Sequence, residues 1–371
     1  MVQRKKLKGN DIAVFFGTFA CFHVGHLTEV QLAKREHDGV VVIVSGRKGD
    51  RGELADLGLN KRFRYVRELF ADDPLVNVAK LDETNLPAYP NGWKPWLDEL
   101  EKDVKASIEN QNAMITVYTG EKEYDDKLHE LRPNWKTHLM DRKSVVDIHA
   151  TQIRENPYRY FNYITDPFKR HFTKKVLIAG SASTGKTTLA QDLGKLYHAP
   201  VSLEYAREYQ DKYNVADEEL DVKDYMYLFS GQWEQTSNLI DSKENHGLVI
   251  ADTNSTVTMA YVDYYLKDKI SDEDYQMLHD NYIQFLKREE WDLILFTVPH
   301  NDYVDDGFRD MNMADKQTRD SFTQHMLDLF KEAGLADKII MLDNAEHMYR
   351  DNYLQAIKAI QANLQIGIGE I

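Results

Sequence analysis

The sequence is almost without cysteine: Cys21 is the single one in 371 residues. One thiol cannot close an internal disulfide or build a cysteine-based zinc site, and such sparing use fits a reducing compartment. Long apolar runs are missing too. Nothing approaches the ~18 consecutive apolar residues of a membrane span. The basic start, Met1-Val2-Gln3-Arg4-Lys5-Lys6, is not followed directly by the apolar core of a signal peptide. A cytoplasmic protein with no membrane insertion is expected. Positive charge is in deficit, with 46 Lys and Arg against 61 Asp and Glu and a formal net charge of −15. An acidic surface repels nucleic-acid phosphates, so no nucleic-acid partner is expected, although a local cationic pocket can still hold a small anion.

What is present reads as globular. Hydrophobic residues make up 42% and charged residues 29%, outside the disordered range. The length allows two to three domains. Short apolar runs alternate with amphipathic stretches, which predicts an α/β fold with parallel sheets. In the first half, strands are predicted at residues 12–16, 40–44, 75–78, 115–118 and 145–148. In the second half they are predicted at residues 176–179, 201–203, 248–251, 293–298 and 338–342. Helices are predicted between most of them. The join falls near residues 158–175, an aromatic and basic stretch unlike a Gly/Ser tether. Two domains are expected, at residues 1–165 and 172–371.

The strongest local signal is Gly180-Ser181-Ala182-Ser183-Thr184-Gly185-Lys186-Thr187, directly after an apolar strand and before a helical stretch opening at Thr188. This is the G-x-x-x-x-G-K-[ST] phosphate-binding loop. Glycines let the backbone turn its N–H groups toward phosphate oxygens, and the helix amino terminus adds a favourable partial charge. Lys186 is placed to reach the β- and γ-phosphates of ATP, and the Thr187 hydroxyl to ligate Mg2+. Asp252 ends the strand at residues 248–251, where a carboxylate can hold magnesium or its water; a helix cap is the plainer alternative. Glu204 and Arg207 follow the strand at residues 201–203 and suit a ribose hydroxyl, or form an ordinary surface ion pair. Arg309 and Arg319 follow residues 293–298, where lid arginines would stabilise a transferring phosphoryl group; solvated surface arginines are the alternative. Together these turn a nucleotide-binding loop into a predicted kinase.

The first half carries Gly17-Thr18-Phe19-Ala20-Cys21-Phe22-His23-Val24-Gly25-His26 between a strand and a helix. His23 and His26, at i and i+3, face the same way at a helix start and form a donor cluster for phosphate. Gly17 and Gly25 permit close backbone approach to a nucleotide. A second helix start, Ile148-His149-Ala150-Thr151-Gln152-Ile153-Arg154, offers Thr151 and Arg154 to the other end of a triphosphate. Partial burial or a metal site is the alternative for the histidine pair, and no third ligand lies near it in sequence.

These two motifs resemble the G-x-F-x-P-x-H-x-G-H and I-S-x-T-x-x-R signatures of the nucleotidylyltransferases. In series with a P-loop kinase, the chain resembles the bifunctional NadR family. Three stretches add to the resemblance: Tyr89-Pro90-Asn91-Gly92-Trp93, the run from Ala150 to Pro157, and Glu204-Tyr205-Ala206-Arg207-Glu208-Tyr209. The likeness covers essentially the whole chain from about Asp11. It implies a Rossmann-like nucleotidylyltransferase domain followed by a P-loop kinase domain. The implied kinase makes nicotinamide mononucleotide from nicotinamide riboside and ATP; the implied adenylyltransferase joins the mononucleotide to ATP, giving NAD and pyrophosphate. His23, His26 and Arg154 would act in adenylyl transfer, and Lys186, Asp252 and Glu204 in phosphoryl transfer. Gly17, Thr18, Phe19 and Thr151 would contact one ATP. Gly180, Ser181, Ser183, Thr184, Gly185, Lys186, Thr187, Thr188 and Arg309 would contact the other. Glu204, Tyr205, Arg207, Asp252 and Trp93 would bind substrate, with Thr187 and Asp252 on the metal.

Three positions depart from the family pattern. Cys21 replaces a proline, His149 a serine, and Asn254 a carboxylate. Only about ten residues precede the first strand, too few for a helix-turn-helix module, so no DNA-binding role is expected. A first domain that only senses NAD or ATP, and a non-enzymatic regulator, are the competing expectations. The sequence leaves association into a homo-oligomer open.

Overall fold

The computed structural model describes residues 6–88, 91–140, 146–300 and 314–368. The chain divides into two compact units, Met1–His171 and Phe172–Ile371. Each is an α/β unit built on one all-parallel five-stranded sheet.

In the first unit the strands are β1 (Asp11–Gly17), β2 (Gly39–Gly46), β3 (Val76–Asp82), β4 (Met114–Thr119) and β5 (Lys136–Leu139). The sheet order is β3-β2-β1-β4-β5. Helices α1 (Val24–Glu36), α2 (Leu59–Leu69), α3 (Trp93–Ser107) and α4 (Lys122–Leu131) connect them, and α5 (Ala150–Glu155) and α6 (Asp166–Phe172) follow the last strand. β2 is buried along its whole length, because crossover helices cover both faces of a parallel sheet. That is why it reads as an unbroken apolar run. Val14, Val41, Ile43 and Val117 pack with Leu97 and Leu100 of α3. Strand order reverses at β1, which pairs with β2 on one side and β4 on the other. A crevice outside the carboxyl ends of β1 and β4 follows from that reversal.

In the second unit the strands are β6 (Lys174–Gly180), β7 (Val201–Ser202), β8 (Leu248–Ala251), β9 (Leu293–Thr297) and β10 (Ile339–Leu342). Their order is β10-β9-β6-β8-β7. The helices are α7 (Lys186–Tyr197), α8 (Tyr205–Tyr213), α9 (Val222–Ile240), α10 (Ser255–Tyr265), α11 (Asp272–Glu289), α12 (Lys316–Glu332) and α13 (Met348–Leu364). Leu177, Ile294 and Phe296 of the sheet pack with Phe229, Met259 and Phe330 of the helices. β6 lies between β8 and β9, so the loop after it opens beside the ends of both neighbours.

One predicted strand is corrected. Residues 146–148 are not strand, and residue 145 lies outside the described residues. Ile148 is apolar because it is buried just ahead of α5. The fifth strand is Lys136-Thr137-His138-Leu139, mostly exposed at the sheet edge. Edge strands are kept polar, so a search for apolar runs passes over it.

Candidate active sites

The first cavity opens at the carboxyl ends of β1 and β4 and is lined by Gly17, Thr18, Phe19, His23, His26, Thr151 and Arg154, among others. His23 stands at the amino end of α1, and its backbone N–H donates to His26 Nδ1 at 3.4 Å. The two imidazoles stack with centroids 3.7 Å apart. Behind them, Thr165 Oγ1 donates to Phe22 O at 2.7 Å and straps the motif down. Arg154 Nη2 donates to Thr151 Oγ1 at 3.1 Å. Burial, and then the like charge of Arg51, push the Arg154 guanidinium below its ordinary pKa. Two guanidinium groups and three imidazoles, those of His23, His26 and His149, thus line one cavity together with Glu29, Glu83 and Glu121, and the cations are the groups suited to phosphate oxygens.

Cys21 is fully buried and lies outside the cavity wall. Its Sγ approaches Phe22 O at 3.8 Å, and burial pushes the thiol pKa up. It serves as a small core residue where the family pattern has proline. His149 lies on the cavity wall at the amino end of α5, with its N–H donating to Gln152 Oε1 at 2.8 Å. Trp93 opens α3 and meets Tyr124 edge-on with centroids 4.9 Å apart. Tyr124 lines the cavity, so Trp93 stands behind the wall rather than in it.

Arg51 also lines the cavity, though it belongs to neither sequence motif. Its sequence signal is the loop Gly46-Arg47-Lys48-Gly49-Asp50-Arg51-Gly52, cations set among glycines after β2. Arg62 of α2 holds that loop in place. Its guanidinium is wholly buried and donates to Asp50 Oδ2 at 2.7 Å, to Ser45 O at 3.4 Å and to Thr18 O. Burial alone would raise the Asp50 pKa. The Glu53 amide, the Arg62 guanidinium and the Gly52 amide outweigh it and hold the carboxyl below its ordinary value. Gly46 and Gly52 leave room for Arg62, since a Cβ on either would come within 2.4 Å and 2.6 Å of it. Arg62→Ala should therefore cost about 3–5 kcal/mol, as breaking a buried pair does, and scanning calorimetry should show a lowered transition. A depressed carboxyl pKa contributes stability above its unfolded value and loses it as pH falls. The variant should accordingly unfold with less acid sensitivity below about pH 4; an unchanged transition would show that the clamp is not structural.

The second cavity lies over the loop after β6, lined by Ser183 through Thr188 together with Glu204 and Arg207. Gly180 has φ +137, and a Cβ there would fall 2.4 Å from Thr297 O and Oγ1 of β9. Only glycine fits so close an approach at that φ. Thr297 Oγ1 lies 3.1 Å from Ala179 O and 2.7 Å from Thr184 Oγ1, and Thr184 Oγ1 also donates to Ser181 O at 2.9 Å. Gly185, at φ +82, caps α7. Lys186 Nζ donates to Ser181 O at 2.9 Å. Ser181 itself is buried beneath the loop and off the wall.

Asp252 is 2% exposed at the end of β8 and accepts from Thr187 Oγ1 at 2.5 Å. Burial raises its pKa to about 6, with the Lys186 charge opposing. It is not the cap of α10; Asn254 is, accepting from Val257 N. Asn254 also donates to Glu289 Oε2 at 2.9 Å, and Glu289 accepts from Ser255 N and Trp291 Nε1. A carboxylate at position 254 would face Glu289, so asparagine suits this network. Glu204 and Arg207 are both an ion pair, at 3.3 Å, and wall residues. The Tyr205 ring is off the wall, packed where a Cβ on Gly231 would meet it at 2.1 Å. Arg319 is buried on α12 and absent from the wall, so it is not a solvated surface arginine. Arg309 lies outside the described residues.

Residues 175–340 match the AAA domain family. The trifunctional NAD biosynthesis/regulator protein NadR of Salmonella typhimurium is 25% identical over 362 residues, covering 95% of this chain and 83% of that protein. The Escherichia coli protein of the same name is 25% identical over 360 residues, 94% of this chain and 82% of its own length. A crystal structure of NadR protein in complex with NR is 36% identical, with a TM-score of 0.88 and 99% of each chain covered. Another, in complex with NAD and AMP-PNP, is 36% identical with a TM-score of 0.87 over 99% of each chain. At 36% identity over 99% of each chain, the likeness takes in both units, and the chain belongs to the NadR family.

Proposed function

We propose that the chain is a bifunctional transferase of NAD biosynthesis. The second unit phosphorylates nicotinamide riboside with ATP, and the first transfers adenylate from ATP to the mononucleotide, releasing pyrophosphate. The observation that carries the reading is the full-length match, at 36% identity, to NadR protein seen with NR and with NAD and AMP-PNP. Two separate cavities, one in each unit and each with cationic side chains on its wall, support it. That Cys21 lies outside the first cavity wall supports an active first unit over a purely sensing one.

In the first unit His23, His26, Arg51 and Arg154 hold the ATP phosphates while the mononucleotide phosphate attacks the α-phosphorus. No covalent enzyme intermediate is needed; positioning and charge carry the step. In the second, Lys186 and the loop amides hold ATP, and Glu204 and Arg207 hold the ribose so that its 5′-hydroxyl meets the γ-phosphoryl group.

Magnesium suits the donors present. Asp252 and Thr187 offer hard oxygens, and Asp252 Oδ1 has no hydrogen-bond partner among the described residues. No cluster of three or more His, Cys, Asp or Glu side chains is set to hold a metal among the described residues, which fits an ion whose other ligands are water and phosphate. When bound, the metal would neutralise charge on the phosphate oxygens. No described helix is long and apolar enough to cross a membrane, and a cytoplasmic location belongs to the same proposal.

The test is direct. Pure protein with magnesium-ATP is given nicotinamide riboside or its mononucleotide, and mononucleotide, NAD and pyrophosphate are followed. Both conversions are expected. Mononucleotide without NAD or pyrophosphate would leave a kinase with a sensing first unit, and no turnover of either substrate would leave a regulator.

A further inference from the structure

Four helices, α7 to α10, wall the second cavity, and its far end has a chemistry of its own. From the cap of α8 onward, Glu204, Arg207 and Gln210 follow at intervals of three and all line the cavity. A rise of ~1.5 Å per residue sets Gln210 about 9 Å along the axis from Glu204, comparable with the span of a nucleoside. Glu204 is close enough to the phosphate-loop end for its charge to act on Asp252. A riboside seated with its 5′-hydroxyl at the phosphate loop would carry its base toward the Gln210 end.

At that end α9 presents Tyr225, which is 1% exposed. Its hydroxyl has no hydrogen-bond partner among the described residues. A buried hydroxyl without a partner costs about 1–3 kcal/mol, and such groups are rare in native structures unless a ligand or water satisfies them. Asp217 lines the same end and accepts from Gln210 Nε2 at 2.8 Å through Oδ1. Burial first, and then the Asp217 charge, push the Tyr225 hydroxyl pKa up, so it remains a donor. One phenolic donor and one carboxylate acceptor thus share the base end of the cavity.

We propose that Tyr225 and Asp217 read the carboxamide of nicotinamide riboside: Tyr225 donates to the amide oxygen and Asp217 accepts from the amide N–H. This rests on the kinase reading of the cavity. A primary carboxamide offers one acceptor and one donor, which matches the pair. The carboxylate of nicotinic acid riboside offers acceptors alone and brings a negative charge against Asp217. The pair is a specificity filter between the amide and acid forms.

The experiment uses the full chain with magnesium-ATP and each riboside in turn. Wild-type protein should favour the amide form by about 10²-fold or more in kcat/KM. Asp217→Asn should narrow that ratio about tenfold, mainly by better use of the acid form. Tyr225→Phe should raise KM for nicotinamide riboside about tenfold while KM for ATP moves less than about twofold. Because it deletes an unsatisfied hydroxyl, it should unfold at the same or a higher temperature without ligand, yet gain less on adding the riboside. Equal use of both ribosides by wild-type protein would overturn the inference. So would an unchanged ratio in Asp217→Asn combined with an unchanged KM in Tyr225→Phe, as expected if only water satisfies the tyrosine. Failure of wild-type protein to phosphorylate either riboside would instead overturn the kinase reading, and the filter with it.

Discussion

Lys186→Ala is expected to abolish mononucleotide formation, by about 10³-fold or more, while NAD formation from supplied mononucleotide stays within about twofold. The size follows from what the ammonium does. In the resting loop Nζ donates to Ser181 O at 2.9 Å, a bond it would exchange for β- and γ-phosphate oxygens. Its charge matters most when the phosphoryl group is in flight, so the loss should fall on kcat as well as KM. Lys186 is half-buried, so truncation should leave the fold intact. His26→Ala should do the reverse: adenylyl transfer falls about 10²–10³-fold and the kinase persists. Steady-state assays of both reactions on both variants check this. Loss of both activities from one folded variant would end the two-site reading.

Asp252→Asn is expected to make the metal-free protein more stable and the kinase inert. The Asp252 carboxyl is 2% exposed, and one of its oxygens has no hydrogen-bond partner among the described residues. Burial, opposed by Lys186, raises its pKa from 3.8 to about 6. The folded chain therefore binds more protons than the unfolded chain between about pH 4 and 6. Stability then falls as pH rises through that window and stays lower above it, by an amount on the order of 1–3 kcal/mol. Asparagine carries no such proton. In EDTA the variant should be the more stable protein above pH 6 and show a flatter profile from pH 4 to 6. Magnesium-ATP should shrink or reverse the gap, since the second unit binds it more tightly with Asp252 in place while the first unit of both proteins binds ATP alike. Kinase turnover should drop about 10³-fold. Thermal unfolding across pH, with and without magnesium-ATP, is the measurement; a variant less stable in EDTA at pH 8 would contradict the argument.

How much of this was legible in the sequence depended on how each residue reaches its place. The β1 and β6 strands with their following loops were readable because fully buried parallel strands are continuous apolar runs, and because Gly17, Gly180 and Gly185 sit where the backbone must turn or approach closely. β5 was not, because an exposed edge strand such as Lys136-Thr137-His138-Leu139 carries no apolar signature. Asn254 looked like a lost ligand, and its true role needed the sight of Glu289, distant in sequence. Tyr205 sits beside Glu204 in sequence, yet as the first residue of α8 it points toward α9. Tyr225 and Asp217 gave no signal, since sequence spacing does not tell which helices share a cavity.

The placement of β1 and β6 bears on how the protein is made. Each is the first strand of its sheet to leave the ribosome, and each ends in the middle, with a later strand on either side. A middle strand offers two unpaired edges until both neighbours arrive. For β6 the wait is long: β8 begins at Leu248 and β9 only at Leu293. At 5–20 residues per second the second edge stays open for on the order of ten seconds. Pairing across such separations is slow in its own right. The apolar strand that later carries the phosphate loop is thus among the segments longest exposed to wrong partners during synthesis.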